Sequence, residues 1–290
     1  MGQTDSRKID LDMGKTISQI YDKYGYGDSA HAFESLYIWS RDMTLSIYLA
    51  DDIYAARLDK SGPNTWFFPV GSTEQKKAFV SKKLASGDLV FRYMTKEDVA
   101  FLDDNFQGRF EIDSAPGDSE YVYDRDTIEN LPGKGLSRKR RYVAKLTREH
   151  SFEVKKLGKD TMADVRYILG VWRKNKDNEL ECNDLGALEV MMLSFSQLSI
   201  EGIVVYMDGL PCSVAAGYLL TEDTVDACLQ KSTVNLHGLQ YHVRQLFSAY
   251  WPESVKFYNY EEDLGIEGLK TAKEFMHPCS MVDMYKGRSI

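Results

Sequence analysis

Apolar residues along this chain keep switching between two periods, one helical and one strand-like. From Leu11 to Tyr24 the apolar positions Ile17, Ile20 and Tyr24 repeat at helical spacing. From Phe33 the pattern turns to strands: Ser35–Trp39, Leu45–Leu49, an Asp51-Asp52 turn, Ile53–Leu58, and a short run at Trp66–Pro69. Thr73–Leu84 reads as a helix capped by Thr73, with Phe79, Val80 and Leu84 on its apolar side. Leu89–Tyr93 is the next strand, and Glu97–Phe106 the next helix, opened by Thr95 and Asp98. This order predicts a mixed sheet with helices packed on it.

The second half repeats the theme. Phe152–Leu157 alternates as a strand. Met162, Val165, Leu169 and Trp172 make one helical face, and Leu185, Leu188, Met192, Phe195 and Leu198 another. Ile203–Met207 turns through Asp208-Gly209, a strong hairpin dipeptide, into Cys212–Leu220, and Thr224–Lys231 follows. A helix over Leu239–Tyr250 leads to a strand through Val255, Phe257 and Tyr258 that ends at Asn259. The expected class is α/β (α+β): two mixed, mostly antiparallel sheets flanked by helices. The expected parts are residues 1–133, a connecting helix over 134–150, and residues 151–290.

Charge changes this picture in one place. The chain of 290 residues has a net charge of −8, which argues against nucleic-acid binding over its whole surface. Yet from Lys134 to Arg148 there are seven basic residues and no acidic one. Arg138, Arg141, Lys145 and Arg148 fall on one helical stripe, with Leu136, Val143 and Leu146 largely opposite. Such a stripe can hold phosphates of a tRNA, a lipid headgroup or coenzyme A; it can equally be a solvated face. Four scattered cysteines without C-x-x-C spacing suggest reduced thiols in a cytoplasmic protein and no metal site. No apolar run reaches the roughly 18 residues a membrane span needs.

Candidate chemistry gathers at Asn259–Lys273. Three carboxylates, Glu261, Glu262 and Asp263, follow the strand, and Gly265 and Gly268 break the chain before a short helix through Leu269, Ala272 and Phe275. Strand-to-helix junctions of open α/β sheets commonly hold ligands, although carboxylates there also simply cap a helix. No G-x-S-x-G, H-E-x-x-H or P-loop motif occurs, which removes the common hydrolases, zinc proteases and NTPases. His237 and His242 are possible bases by their chemistry, and His31, His150 and His277 show no partner in the sequence.

The string N-x-E-x-D-L-G-I-x-G-L-x-x-A-K, from Asn259 to Lys273, resembles the C-terminal signature of a bacterial family. Tyr121-Val-Tyr123, Leu131-Pro-Gly133-Lys134 and Arg138-Lys139-Arg140 support it. The family is that of proteins similar to the C-terminal domain of phosphatidylglycerol lysyltransferase. The element order of the second half, βααβββαβαβ, resembles a GNAT acyltransferase module, and the first half a degenerate copy, so the resemblance implies a tandem GNAT-like pair. It implies transfer of an aminoacyl group from aminoacyl-tRNA to a lipid headgroup, peptide or amine. The alternatives are an acyl-CoA-dependent N-acyltransferase and a non-catalytic binding protein on the same scaffold.

The residues that would carry this follow from the resemblance. Glu262 or Asp263 would be the base, and Lys273 the cation for an oxyanion or phosphate. Lys134, Arg138, Lys139, Arg140 and Arg141 would grip the donor, and Tyr123, Asn259 and Glu261 would line the substrate pocket. Lys231, Asn235, Gly238 and Gln240 lie where such modules meet their donor. There, coenzyme A users show Q/R-x-x-G-x-G/A, whereas this chain has only Gly238. The departure favours an aminoacyl-tRNA donor over coenzyme A. The basic helix would then meet tRNA, with peripheral contact to anionic lipid as a further expected partner.

Overall fold

The computed structural model describes residues 6–62, 64–175 and 184–290. In chain order the first half comprises β1 (Arg7–Lys8), α1 (Gly14–Tyr24), α2 (Phe33–Trp39), β2 (Leu45–Ala50), β3 (Ile53–Leu58), β4 (Thr65–Phe67) and β5 (Val70–Gly71). It continues through α3 (Thr73–Leu84), β6 (Val90–Met94), α4 (Lys96–Asn105), β7 (Phe110–Ser114) and β8 (Glu120–Asp124). Two connecting helices follow, α5 (Arg125–Asn130) and α6 (Ser137–Glu149). The second half then runs β9 (Phe152–Lys156), α7 (Met162–Lys174), α8 (Leu185–Ser194), β10 (Glu201–Met207), β11 (Leu210–Leu219) and β12 (Thr224–Ser232). It closes with α9 (Leu239–Tyr250), β13 (Phe257–Glu262), α10 (Glu267–Glu274), β14 (Ser280–Val282) and β15 (Tyr285–Ser289).

Local chemistry explains many of these boundaries. Thr95 and Asp98 form a reciprocal capping box at the start of α4. Asp208 and Gly209, at φ 52 and 81, make the two-residue turn that joins β10 to β11. The cap of α3 is Ser72, which accepts from the Gln75 amide, one residue before the expected Thr73. Phe33–Trp39 is a helix, not the expected strand. Its Phe33 and Tyr37 rings meet one turn apart, 5.7 Å between centroids, and Tyr37 reaches Ser194 of α8 at 3.2 Å. Packing against α8 thus overrides the strand preference of a short aromatic run.

The two halves match element by element. The first sheet has the order β1-β2-β3-β4-β6-β15-β7, with β5 on β3, and the second β9-β10-β11-β12-β13-β8-β14. Each contains one parallel pair, β4/β6 and β12/β13, and the remaining pairs are antiparallel. The last strand of each half crosses over. β8 inserts between β13 and β14, and β15 inserts between β6 and β7, the equivalent place in the other sheet.

Helices α1, α2, α7 and α8 form one shared apolar layer between the sheets, with Ile17, Leu36, Val165 and Leu188 among its members. Helices α3 and α4 cover the outer face of the first sheet, and α6 and α9 that of the second. Among the described residues no helix is long and apolar enough to cross a membrane.

Candidate functional site

The site begins where two parallel strands part. β12 and β13 pair over three rungs only, Thr224–Phe257, Val225–Tyr258 and Asp226–Asn259, after which β12 continues to Ser232 without β13 beside it. The opening holds two adjoining cavities of about 560 Å³ each. Trp172, Gln230, Lys231, Tyr260 and Lys273 line both, so they form one groove with two arms.

One arm is apolar and acidic. Trp39, Leu188, Met191, Cys228, Leu264 and Ile266 wall it, and Asp184, Glu261 and Glu262 supply carboxylates. The strand carries these glutamates further than expected: β13 runs to Glu262, so they sit on a strand end and not in a helix cap. They reach the groove because β13 bulges. Its register on β8 shifts between Asn259 and Glu262, and Glu261 takes a left-handed backbone, φ 59.

Lys273 holds that bulge. Its Nζ donates to three successive carbonyls, Tyr260 at 2.6 Å, Glu261 at 2.9 Å and Glu262 at 2.6 Å. In this arrangement all three ammonium donors are committed to backbone. Burial lowers its pKa, an effect that Glu261 and Glu262 oppose. Tyr123 anchors the helix behind it, its hydroxyl donating to the Lys273 carbonyl at 2.8 Å. Asp263 does not reach the groove. It is buried and accepts from the Tyr121 hydroxyl at 2.6 Å and the Gly265 amide at 2.7 Å, which ties the strand end to the turn. Of the three signature carboxylates, Glu261 and Glu262 therefore face the groove.

The other arm is basic. Lys139, Lys231, Arg244 and Lys273 line it, with Asn235, His237, Gly238 and Gln240 from the loop before α9. Arg244 lies 4.4 Å over the Tyr260 ring and donates from Nε to Gln230 at 3.1 Å. Lys231 pairs with Asp184 at 2.5 Å and lies over the Trp172 ring. Gln230 in turn donates to the Gln240 carbonyl at 2.9 Å. Gly238 caps α9 at φ 99 against α6, where a Cβ would stand 2.7 Å from the Tyr142 carbonyl carbon. His237 stacks on the Tyr142 ring at 5.0 Å, so the loop before α9 rests on the basic helix.

Helix α6 carries its charge outward. Arg140 turns back to the Leu131 and Gly133 carbonyls, Arg138 donates to the Tyr142 hydroxyl, and Lys139 lies over the Tyr241 and Phe275 rings. Lys134 and Arg141 are exposed. Among the described residues the one ion pair made by the seven basic side chains is Lys145–Glu149 at 3.8 Å, within the helix itself. Among the described residues, no acidic side chain from outside the helix pairs with this basic face.

Beneath the groove lies a buried polar seam that local sequence patterns do not reveal. Glu120, on the exchanged strand β8, accepts from the Ser29 amide and hydroxyl, the Ala30 amide, and Asn259 Nδ2 at 2.5 Å. Asn259 in turn accepts from the Glu261 amide at 2.8 Å, so it supports the bulge and does not line the groove. Asp28 beside it holds His31 Nδ1 at 2.6 Å. Burial, reinforced by Asp28, raises the Glu120 pKa to about 7, against which Asn259 and Ser29 act. Burial also raises Glu262 and, with Asp226 adding to it, Glu261.

A pH dependence follows from Glu120. Its folded pKa lies above its ordinary 4.5, so folding takes up a proton between about 4.5 and about 7. Its contribution is full below 4.5 and is lost as pH rises through 7, by on the order of 3 kcal/mol. Denaturant titrations of the wild type should show this slope, and Glu120→Gln should flatten it; parallel slopes would refute the assignment.

Arg244, Tyr260, Trp172, Glu120 and Asp226 are the residues that sequence reasoning missed. Each is separated along the chain from the signature string or, like Tyr260, hidden within it as an aromatic residue, so no spacing rule singles it out. Among the described residues no group of three or more His, Cys, Asp or Glu is placed to hold a metal. His150 and His31 both have partners, Asp208 at 2.6 Å and Asp28.

The profile of phosphatidylglycerol lysyltransferase C-terminal domains matches residues 21–286. The chain belongs to that family. A search of the curated proteins gives no match. The fold is that of a conserved protein of unknown function from Bacteroides thetaiotaomicron VPI-5482, with TM-score 0.89 and 21% identity over 98% of this chain and 99% of that one. It is also that of the L-PGS from Bacillus licheniformis, with TM-score 0.67 and 13% identity over 98% and 93%. FemX shares it at TM-score 0.57 and 8% identity over 99% and 96%. Family and fold together put the chain among proteins of the acyl- and aminoacyl-transferring kind.

Proposed function

We propose that this family member moves an aminoacyl group from an aminoacyl-tRNA to a hydroxyl or amine acceptor, such as a lipid headgroup, a peptide or a free amine. The observation that carries the reading is the polarity of the groove. Its basic arm continues onto the unpaired face of α6, and its other arm ends at two carboxylates. Donor phosphates belong with Lys139 and the exposed Lys134, Arg138 and Arg141. The acceptor enters beside Glu261 and Glu262, one of which takes its proton as nitrogen or oxygen attacks the ester carbonyl. The ester C–O bond then breaks, and the proton returns to the leaving ribose hydroxyl.

In this reading Lys273 holds the bulge and lends its charge, while Arg244, whose terminal amino groups make no hydrogen bond among the described residues, faces the developing oxyanion. The lone Gly238 in place of a glycine-rich turn supports a tRNA donor over coenzyme A, because cradling a pyrophosphate at a helix N-terminus needs a run of open amides. Anionic lipid remains the second partner we propose for the α6 face.

The test is a titration of labelled aminoacyl-tRNA and acetyl-CoA, separately, at two salt concentrations. Tight, salt-sensitive tRNA binding is expected, weakened at least tenfold when Arg138, Lys139, Arg140 and Arg141 become Gln, since each lost phosphate contact lowers the salt slope by about one. Acetyl-CoA binding without tRNA binding would instead make this an acyl-CoA enzyme. Binding of neither would reduce the groove to a scaffold feature.

A further inference from the structure

A separate cavity of about 320 Å³ lies beside the first turn of α2. Phe33 and Glu34 of that helix line it, whereas Ser35, Ile38 and Trp39 line the acidic arm of the groove. No residue lines both this cavity and the groove. Its walls are aromatic: Tyr21 from α1, Phe33, Tyr218 from the end of β11 and Trp251 after α9, each at most 6% exposed. The charged residues that line it are all carboxylates, Asp22, Glu34 and Glu201, with no Lys, Arg or His among them.

Glu34 is the unusual member. It is 8% exposed, and among the described residues nothing donates a hydrogen bond to its carboxylate or forms an ion pair with it. Neither of its oxygens is sealed from solvent, unlike the unpaired Nε1 of Trp251, so the carboxylate opens onto the cavity that it lines. Glu201, by contrast, is held by Lys156 at 2.9 Å and by the Tyr250 hydroxyl. A carboxylate in the first turn of a helix gains from the helix dipole, but an exposed one gains as much without losing its water. Burying a carboxylate that no protein group pairs is unfavourable, and a cation in the cavity offsets that cost.

The surroundings select the kind of cation. Among the described residues no three His, Cys, Asp or Glu side chains converge to hold a metal ion. Aromatic walls suit an organic cation, because the ring faces attract an ammonium group while the apolar surface accepts its carbon chain. We propose that this cavity binds a small aliphatic amine, with the ammonium group on Glu34 and the chain against Tyr21, Phe33, Tyr218 and Trp251. Asp22, which is exposed, adds negative potential that draws cations toward it. The site binds and makes no bond, and it is independent of the function proposed for the groove.

The experiment is a ligand-observed NMR titration of the full chain at moderate salt with butylammonium chloride, and with 1-butanol as the uncharged molecule of the same chain length. Butylammonium is expected to bind saturably, about tenfold or more tighter than butanol, which is the difference a charge-assisted hydrogen bond makes. Glu34→Gln should remove that preference. Ser18→Phe, which fills the cavity from α1 and leaves Glu34 in place, should abolish saturable binding of the amine. Absence of saturable binding to the wild type, equal affinity for amine and alcohol, or an undiminished preference in Glu34→Gln would overturn the site. Amine binding that survives in Ser18→Phe would place it elsewhere on the protein and overturn it too. Should one variant fail to fold, the other decides together with the wild-type preference. Neither variant touches the groove, so failure here leaves the proposed transfer standing, and failure of tRNA binding leaves the amine site standing.

Discussion

Lys273→Met is expected to lower stability by about 3 kcal/mol, or roughly 6–12 °C in melting temperature, and to abolish transfer. The side chain keeps its length and apolar stem but leaves the Tyr260, Glu261 and Glu262 carbonyls without their charged donor. Those carbonyls belong to a bulge in which Glu261 already sits at φ 59, so the strand end can relax and withdraw both glutamates from the groove. Lys273→Arg should rescue little, since a planar guanidinium cannot converge on three carbonyls as an ammonium does. Calorimetry, together with a transfer assay, checks this. A Met variant of unchanged melting temperature would mean that the clamp does not hold the bulge.

Ending the chain after Asp283 is expected to unfold the first half, although only the last residues of the second are removed. The cut takes away β15, which fills the gap between β6 and β7, and with it Met284, which is fully buried. Both β6 and β7 would lose a hydrogen-bonded neighbour, and strand edges left open invite aggregation. Near-ultraviolet dichroism and size-exclusion chromatography of the shortened chain would report it. A native, monodisperse product would show that the crossed strand is dispensable.

Several site residues were legible because a motif and a surface agreed. Glu261, Glu262 and Lys273 stand out in the signature string, and the α6 stripe in the charge count, without any knowledge of contacts. Their jobs were less legible. Asp263 reads like its neighbours in one dimension, yet a one-residue difference beyond a bulge turns it to Tyr121 and Gly265. Lys273 reads as a free cation until three carbonyls, 11 to 13 residues away along the chain, appear around its ammonium. Tyr123 and Asn259, expected in the pocket, instead support it from behind.

By itself the sequence determined the periods of the elements, and so most helices, the β10–β11 hairpin and the tandem α/β class. Those features depend on residues close in the chain, such as the Thr95–Asp98 box or Asp208-Gly209. Tertiary structure decided what depends on distant residues. It made Phe33–Trp39 a helix by packing it on α8. It sent β8 and β15 into each other's sheets. It also buried Glu120 against Ser29, 91 residues earlier, and Asn259, 139 residues later. Side-chain spacing carries no record of such meetings, because the burial that raises a carboxyl's pKa is set by which strand lies alongside.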